Sequence, residues 1–300
     1  MTSTVLITGA STGFGRDASE RLARRGHRVF ATMRDGDGRN AIHRNALQDL
    51  AAREKLWLRV IELDVTSDDS VQRAVDTALR EAGYLDVVIN NAGVLGIGVT
   101  EAYTSEQFQR LFDVNVFGVV RVNRAVLPSM RARRSGLLVH VSSGAGRTVV
   151  PAAAAYCASK FAVEAIADAM RFELLPVGVD SVIVEPGIYR TPIFDRIALP
   201  ADEVRLASYG PAAEFVDRVR GTFLGAINAP GAPGSEEVAE ALVRLVEMDA
   251  ADRPFRTIVS PPIEQLLGEY NAAAEALRPI VAQIFNVPEL VGQPTAVAST

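Results

Sequence analysis

The chemistry with the clearest residue pattern lies in Tyr156-Cys-Ala-Ser-Lys160. The stretch continues with Phe161, Val163, Ile166 and Met170 at helical spacing, so the phenol and the ammonium, four residues apart, share one helix face. A free phenol, with a pKa of about 10, supplies little base near neutrality. A cation beside it favours the phenolate and moves the group toward working pH, which suits it to acid–base proton transfer. An amphipathic helix that happens to carry a Tyr and a Lys is the plain alternative. Composition adds a clue: of 31 basic residues only Lys55 and Lys160 are lysine, and the rest are arginine. A compact ammonium can hold ribose hydroxyls in a way that a planar guanidinium does not readily copy. Lys55 has only a surface-helix explanation.

Ser143 lies 13 residues before Tyr156, after the apolar run Leu137 to Ser142. A hydroxyl there is suited to hold a carbonyl oxygen where alkoxide charge develops, while the tyrosine delivers the proton. Ser142 competes for that role, but neighbours on a strand point to opposite faces, so only one of the two faces the ligand. Asn90-Asn-Ala-Gly93 ends another strand with small residues that either admit a ligand to the backbone or form a simple turn. Asn115, in Asp113-Val-Asn-Val-Phe-Gly118, is polar inside an otherwise apolar helix and needs a partner. A helix-to-helix hydrogen bond would satisfy it.

A second chemistry is written in Thr8-Gly-Ala-Ser-Thr-Gly-Phe-Gly15, between the first strand and a helix from about Arg16 to Arg25. Gly9, Gly13 and Gly15 sit where the backbone turns sharply and approaches a pyrophosphate, and the helix N-terminus offers N–H groups and a positive dipole. The spacing is G-x-x-x-G-x-G, not the commoner G-x-G-x-x-G. A tight strand-to-helix turn is the alternative. The second strand ends Ala31-Thr-Met-Arg-Asp35: Met33 holds the position where an NAD-selective site usually places an acid, and Arg34 follows it. An arginine can pair with the 2′-phosphate of NADP, so NADP is favoured and NAD remains possible. Arg34 as a solvated surface arginine, with Asp35 serving the ribose, is the other reading.

These residues need elements to hold them. Short β-branched runs at Thr4–Thr8, Arg28–Thr32, Trp57–Leu63, Asp86–Asn90, Leu137–Ser142, Asp180–Glu185 and Arg256–Val259 alternate with segments at helical spacing. Seven strands separated by helices, and apolar on both faces, predict an α/β fold with a doubly wound, parallel, seven-stranded sheet of Rossmann type. One catalytic domain is expected over 1–300, with an excursion over the site at about 193–235 and a helical extension at about 262–300. In the excursion, Ile188, Tyr189, Ile193, Phe194, Ile197, Phe215, Phe223 and Leu224 either line a pocket or glue a lid to the core. In the extension, Leu266, Leu267, Leu277, Ile280 and Ile284 recur at helical spacing and would cover the pocket or an interface. A weak Ala/Val tail follows Pro294.

Composition narrows the partners. Net charge of -5 gives no footprint for wrapping nucleic acid. No apolar run approaches the roughly 18 residues of a membrane span. One cysteine and three scattered histidines, His27, His43 and His140, make neither a disulfide nor a zinc site, so no metal is expected. A reducing cytoplasm fits.

Taken together, Thr8-Gly-x-x-x-Gly-x-Gly15, Asp64-Val65, Asn90-Asn-Ala-Gly93, Asn115, Ser143, Tyr156-x-x-x-Lys160 and Pro186-Gly187 with Thr191 resemble the short-chain dehydrogenase/reductase superfamily. The likeness is to its branch of roughly 250-residue cores. That resemblance implies a catalytic tetrad: Asn115 supports a water relay to Lys160, Ser143 orients the substrate carbonyl, Tyr156 is the acid/base, and Lys160 lowers its pKa and binds ribose. It also implies cofactor contacts from Gly9, Ser11, Thr12, Gly13, Phe14 and Gly15, with Asp64 and Val65 at adenine. Asn91, Ala92 and Gly93 would line the cofactor, and Pro186, Gly187 and Thr191 would hold the nicotinamide carboxamide. Phe14 departs from the usual isoleucine, with little consequence expected because backbone carries that contact. Val29-Phe-Ala-Thr-Met-Arg-Asp35 and Tyr156-Cys-Ala-Ser-Lys-Phe-Ala162 look like the hydroxysteroid and retinol dehydrogenase group. The implied activity is hydride transfer between NADP and a small-molecule ketone or secondary alcohol, in a homodimer or homotetramer. Nucleotide-sugar epimerases or dehydratases are disfavoured by the glycine spacing, and a turnover-free NADP sensor or structural homologue by the presence of all four tetrad residues.

Overall fold

Adjacent residues of the central strands are apolar on both sides, and the sheet they form is covered on both faces. The computed structural model describes residues 2–291. In it β1 (Thr4–Ile7), β2 (Arg28–Met33), β3 (Leu58–Glu62), β4 (Val87–Asn90), β5 (Gly136–Val141), β6 (Val179–Pro186) and β7 (Arg256–Val259) pair in the order β3-β2-β1-β4-β5-β6-β7. All six pairings are parallel. These are the expected strands, with ends moved by a residue or two.

The helices in chain order are α1 (Gly13–Arg24), α2 (Ala41–Glu54), α3 (Asp68–Ala82), α4 (Ser105–Phe112), α5 (Gly118–Arg133), α6 (Ala154–Leu174), α7 (Glu203–Ser208), α8 (Glu214–Asn228), α9 (Glu236–Glu247), α10 (Glu264–Ala276) and α11 (Arg278–Ile284). Val5, Ile7, Val29, Ala31, Ile89 and Val139 bury one sheet face with residues of α1, α2 and α9. Their strand neighbours Leu6, Phe30, Val88 and Leu138 bury the other with α3, α5 and the end of α6. This period-two division is what strands apolar on both faces require. Crossovers run outward in both directions from β1 and β4, which opens a crevice at the carboxyl ends of those strands.

Local signals fix the helix ends. Ser67 caps α3 by accepting from the Ser70 N–H at 3.2 Å, and Thr104 with Gln107 forms a reciprocal capping box at the start of α4. Thr12 precedes α1 without a side-chain cap, which leaves the first-turn N–H groups free for a ligand. Between α4 and α5 the chain widens into a π-turn at Asp113–Phe117. Under the sheet, Ser181 donates to the Ala167 carbonyl at 3.0 Å, so its oxygen accepts from His140 Nε2 at 3.2 Å. Burial pushes His140 down to about 4, and the neutral ring ties β5 and β6 to α6.

After β6 the excursion runs through a 3-10 turn at Pro192–Arg196, then α7 and α8. It is tethered at Ala198, which bridges to Gly96 and accepts from Tyr103 Oη at 2.6 Å. After β7 the chain makes a turn at Pro261–Ile263 before α10 and α11. The Ala/Val tail after Pro294 lies outside the described residues. Among those residues no helix is long and apolar enough to cross a membrane.

Candidate active site

A cavity of about 1010 Å³ spans the carboxyl edge of the sheet from β2 to β6. It gathers all but two of the site residues expected from the sequence: Gly15 and Asn115 stand behind its wall. The glycine loop shows why small residues are needed. Gly9 has φ +68°, and a Cβ there would lie 2.8 Å from Ala92 Cα; one on Gly15 would lie 2.4 Å from Asn91 Nδ2 and 2.8 Å from the Gly9 carbonyl. The loop, the uncapped α1 N-terminus and the cavity beside them fit a dinucleotide pyrophosphate. Asn91 lines this wall, yet its carboxamide is turned to the loop, donating to the carbonyls of Thr8 (2.8 Å) and Gly9 (3.1 Å). Thr8, which motif reading left without a role, accepts from the N–H groups of Asn91 and Ala92, each at 3.0 Å. Its hydroxyl is the staple between the two cofactor loops.

At the other end, Arg34 is exposed along the cavity and has no ion-pair partner among the described residues. Asp35, the alternative ribose ligand, is folded away: with φ +52° it accepts from the Arg39 N–H at 3.1 Å and does not line the cavity. Asn40 donates to the Arg34 carbonyl at 2.6 Å and leaves Oδ1 buried without a partner on the cavity wall, a contact the sequence did not suggest. Asp64 uses one oxygen to hold Thr66, and Val65 is packed beneath Gly118.

Ser143, Tyr156 and Lys160 converge between β5, β6 and α6. Ser143 ends β5, where its Oγ accepts from the Ala145 N–H at 3.1 Å and lies 3.5 Å from the Pro186 carbonyl. Ser142 also touches the cavity but is buried, and its Oγ has no hydrogen-bond partner. Tyr156 opens α6, half-buried against Ala145, Val150, Ala153 and Cys157. Lys160, one turn on, is buried and donates to the Val141 carbonyl at 2.9 Å. Burial dominates both groups. It pushes the phenol up to about 12, against the pull of the neighbouring Ser143 hydroxyl, and drags Lys160 down to about 8, against the attraction of Glu164. Lys160 Nζ is turned to a carbonyl and sits 5.7 Å from the Tyr156 ring centroid.

Asn115 sits in the π-turn, not in regular helix. It grips Val94 through both backbone groups, at 2.8 and 2.9 Å, and donates to Ser159 Oγ on α6 at 3.0 Å. A Cβ on Gly93 would fall 3.5 Å from Asn115 Oδ1 and 3.8 Å from Lys160 Nζ, so the two side chains flank one spot.

The roof is apolar. Ile188, Tyr189, Ile193, Phe194 and Phe223 reach the cavity, with Phe194 and Phe223 stacked at 5.6 Å, whereas Ile197, Phe215 and Leu224 do not reach it. Both readings of the excursion hold in part: Tyr189 is core, and its hydroxyl donates to Glu237 at 2.8 Å. Ser260 and the turn Pro261–Ile263 also line the cavity, so the extension covers it with its first residues. Leu266, Leu277, Ile280 and Ile284 face outward.

The family model for short chain dehydrogenases matches residues 3–200. Retinol dehydrogenase 8 of Bos taurus is 40% identical over 189 residues, which is 61% of this chain and 58% of that protein. Cyclopentanol dehydrogenase of Comamonas sp. is 34% identical over 248 residues, covering 82% of this chain and 90% of that protein. A short-chain dehydrogenase structure from Streptomyces avermitilis superposes with a TM-score of 0.73 at 30% identity, covering 92% of this chain and 96% of that one. The chain belongs to the short-chain dehydrogenase family and is an oxidoreductase that acts on alcohol or carbonyl groups.

Proposed function

We propose that the enzyme interconverts a hydrophobic ketone and its secondary alcohol, with NADP preferred over NAD. The observation that carries this reading is the shared cavity: Ser143, Tyr156 and Lys160 face the glycine loop and Arg34 across one space, beneath Phe194 and Phe223. The nicotinamide, when bound, supplies or accepts the hydride, and its oxidised form brings a positive charge. The protein's residues do the rest. Ser143 Oγ donates to the carbonyl oxygen and Tyr156 Oη gives it a proton during reduction. Lys160, with one N–H on the Val141 carbonyl, holds ribose hydroxyls with the others and, as a cation, favours the phenolate left behind. Asn115 braces Val94 and α6 and supports a water path to Lys160. Arg34 pairs with the 2′-phosphate, Asp64 and Val65 flank adenine, and Pro186, Gly187 and Thr191 hold the carboxamide. Relatives named for retinol and cyclopentanol support an alcohol substrate with an apolar body. A homodimer or homotetramer in a reducing cytoplasm completes the proposal, with exposed Phe117 and Phe161 at the α5–α6 surface supporting the assembly.

The test is a panel of hydrophobic ketones and secondary alcohols with both cofactors. Carbonyl-dependent oxidation of NADPH, faster than that of NADH, is expected. Silence across the panel with both cofactors would refute it.

A further inference from the structure

Behind Lys160, on the side away from the cavity, lies a cluster of buried charges that the reaction does not use directly. Glu164 follows Lys160 by one turn of α6 and is 2% exposed; Glu185, beside Pro186 at the end of β6, is 0% exposed. Both address one guanidinium nitrogen. Arg256 Nε on β7 donates to Glu164 Oε2 at 3.0 Å and lies 3.5 Å from Glu185 Oε1. One N–H cannot satisfy two carboxylates, and Oε1 of each is buried without a hydrogen-bond partner. The extension closes the cluster: Asn271 on α10 donates to Glu185 Oε2 at 2.7 Å and accepts from Arg147 Nε at 2.8 Å. The other charges facing it are Arg147 from the loop after β5, Asp168 on α6, Glu275 on α10 and Arg278 on α11.

We propose that Glu185 retains a proton where it and Glu164 meet over Arg256, and that Glu164 acts as a positioning residue for Lys160, linking α10 to the helix that carries Tyr156 and Lys160. Two ionised carboxylates on one buried N–H repel each other, and a proton retained by one of them removes that cost. Burial, with Glu164's charge second, pushes Glu185 upward from the ordinary carboxylate value, while Asn271, Arg256 and Arg147 oppose the shift. Glu164's charge in turn helps Lys160 keep its proton. The inference rests on the reductase reading only in the role it gives Lys160.

Its sign in stability follows from proton linkage. A carboxyl whose pKa is raised by folding leaves the folded chain holding the extra proton above the ordinary carboxylate value, so its contribution to stability falls as pH rises toward neutrality. Buried neutral His140 contributes the opposite slope, so the comparison must be between variants. The experiment follows unfolding of the full chain in denaturant from about pH 5 to pH 7. It also follows affinity for NADPH or NADH, whichever binds tighter, from about pH 6 to pH 9. Relative to the parent, Glu185→Gln should remove the downward stability component, and Asn271→Ala, which takes away a contact that lowers Glu185, should steepen it. Glu164→Gln should move the alkaline loss of cofactor affinity down by about one pH unit. Parallel stability curves in the parent and Asn271→Ala would overturn the retained proton on Glu185 even if Glu185→Gln does not fold. An unmoved affinity profile in Glu164→Gln would overturn the positioning role. Absence of carbonyl turnover would defeat the reductase reading alone, because neither readout requires a substrate.

Discussion

The floor and the roof of the cavity are built by different means. The floor is pinned by backbone-directed hydrogen bonds: Thr8 staples two loops, Asn115 grips Val94, and Lys160 reaches the Val141 carbonyl. The roof is tied down at its edges, by hydrogen bonds at Tyr189, at Arg190 and along residues 198–202, while over the cavity it rests on apolar contacts such as Phe194 on Phe223, with Leu199, Val204 and Leu224 left exposed. Directional bonds fix atoms to the tolerance that proton transfer requires, whereas apolar contacts can be exchanged for others of similar volume. On the proposed reading the floor sets the reaction and the roof the substrate.

Substitutions should divide along that line. The largest effect is expected at Tyr156: Tyr156→Phe removes the proton donor and should lower kcat by about 10³-fold while cofactor affinity, measured by fluorescence titration, is retained. Gly15→Ala drives a Cβ into Asn91 and the Gly9 carbonyl, and should weaken dinucleotide binding by about 100-fold with a smaller loss of Tm. Arg34→Ala would remove the proposed charge-assisted contact to the 2′-phosphate, worth about 2 kcal/mol, and should raise KM for NADPH by about 30-fold, with KM for NADH nearly unchanged. Equal effects on both cofactors would remove Arg34 from the 2′-phosphate site. The smallest effect belongs to the roof: Phe223→Ala should raise KM by about 10-fold for bulky ketones and leave kcat for small ones nearly intact. A loss of kcat on every substrate would show that the roof also positions the chemistry.

How far the sequence carried differs between the two regions in the same way. All seven strands and the cofactor loops were readable because period-two burial and glycine spacing are local properties. Thr8 and Asn40 were missed as contacts because their partners are 83 and 6 residues away and are backbone groups, which leave no residue-type signature. The π-turn that seats Asn115 was read as regular helix, since one extra residue in a turn does not disturb an apolar pattern. The i, i+4 spacing places Tyr156 and Lys160 on one helix face but carries no signal of their burial, which is the largest influence on both groups. In the roof, Ile197, Phe215 and Leu224 are indistinguishable by type from Ile193 and Phe223, because the Gly- and Pro-broken connections on either side leave the face that α8 and the preceding turn present to the sheet unset by local pattern.

The most direct test of the proposed chemistry follows the hydride itself. The enzyme is incubated with NADPH carrying deuterium at the nicotinamide C4 position and a ketone that the panel shows to be turned over, and the alcohol is analysed by mass spectrometry and NMR. Deuterium bonded to the carbinol carbon, in one stereochemical sense, with the same reaction nearly abolished in Tyr156→Phe, is the expected result. Alcohol formed without deuterium at that carbon from either C4 epimer of the labelled cofactor, or at an undiminished rate in Tyr156→Phe, would contradict it.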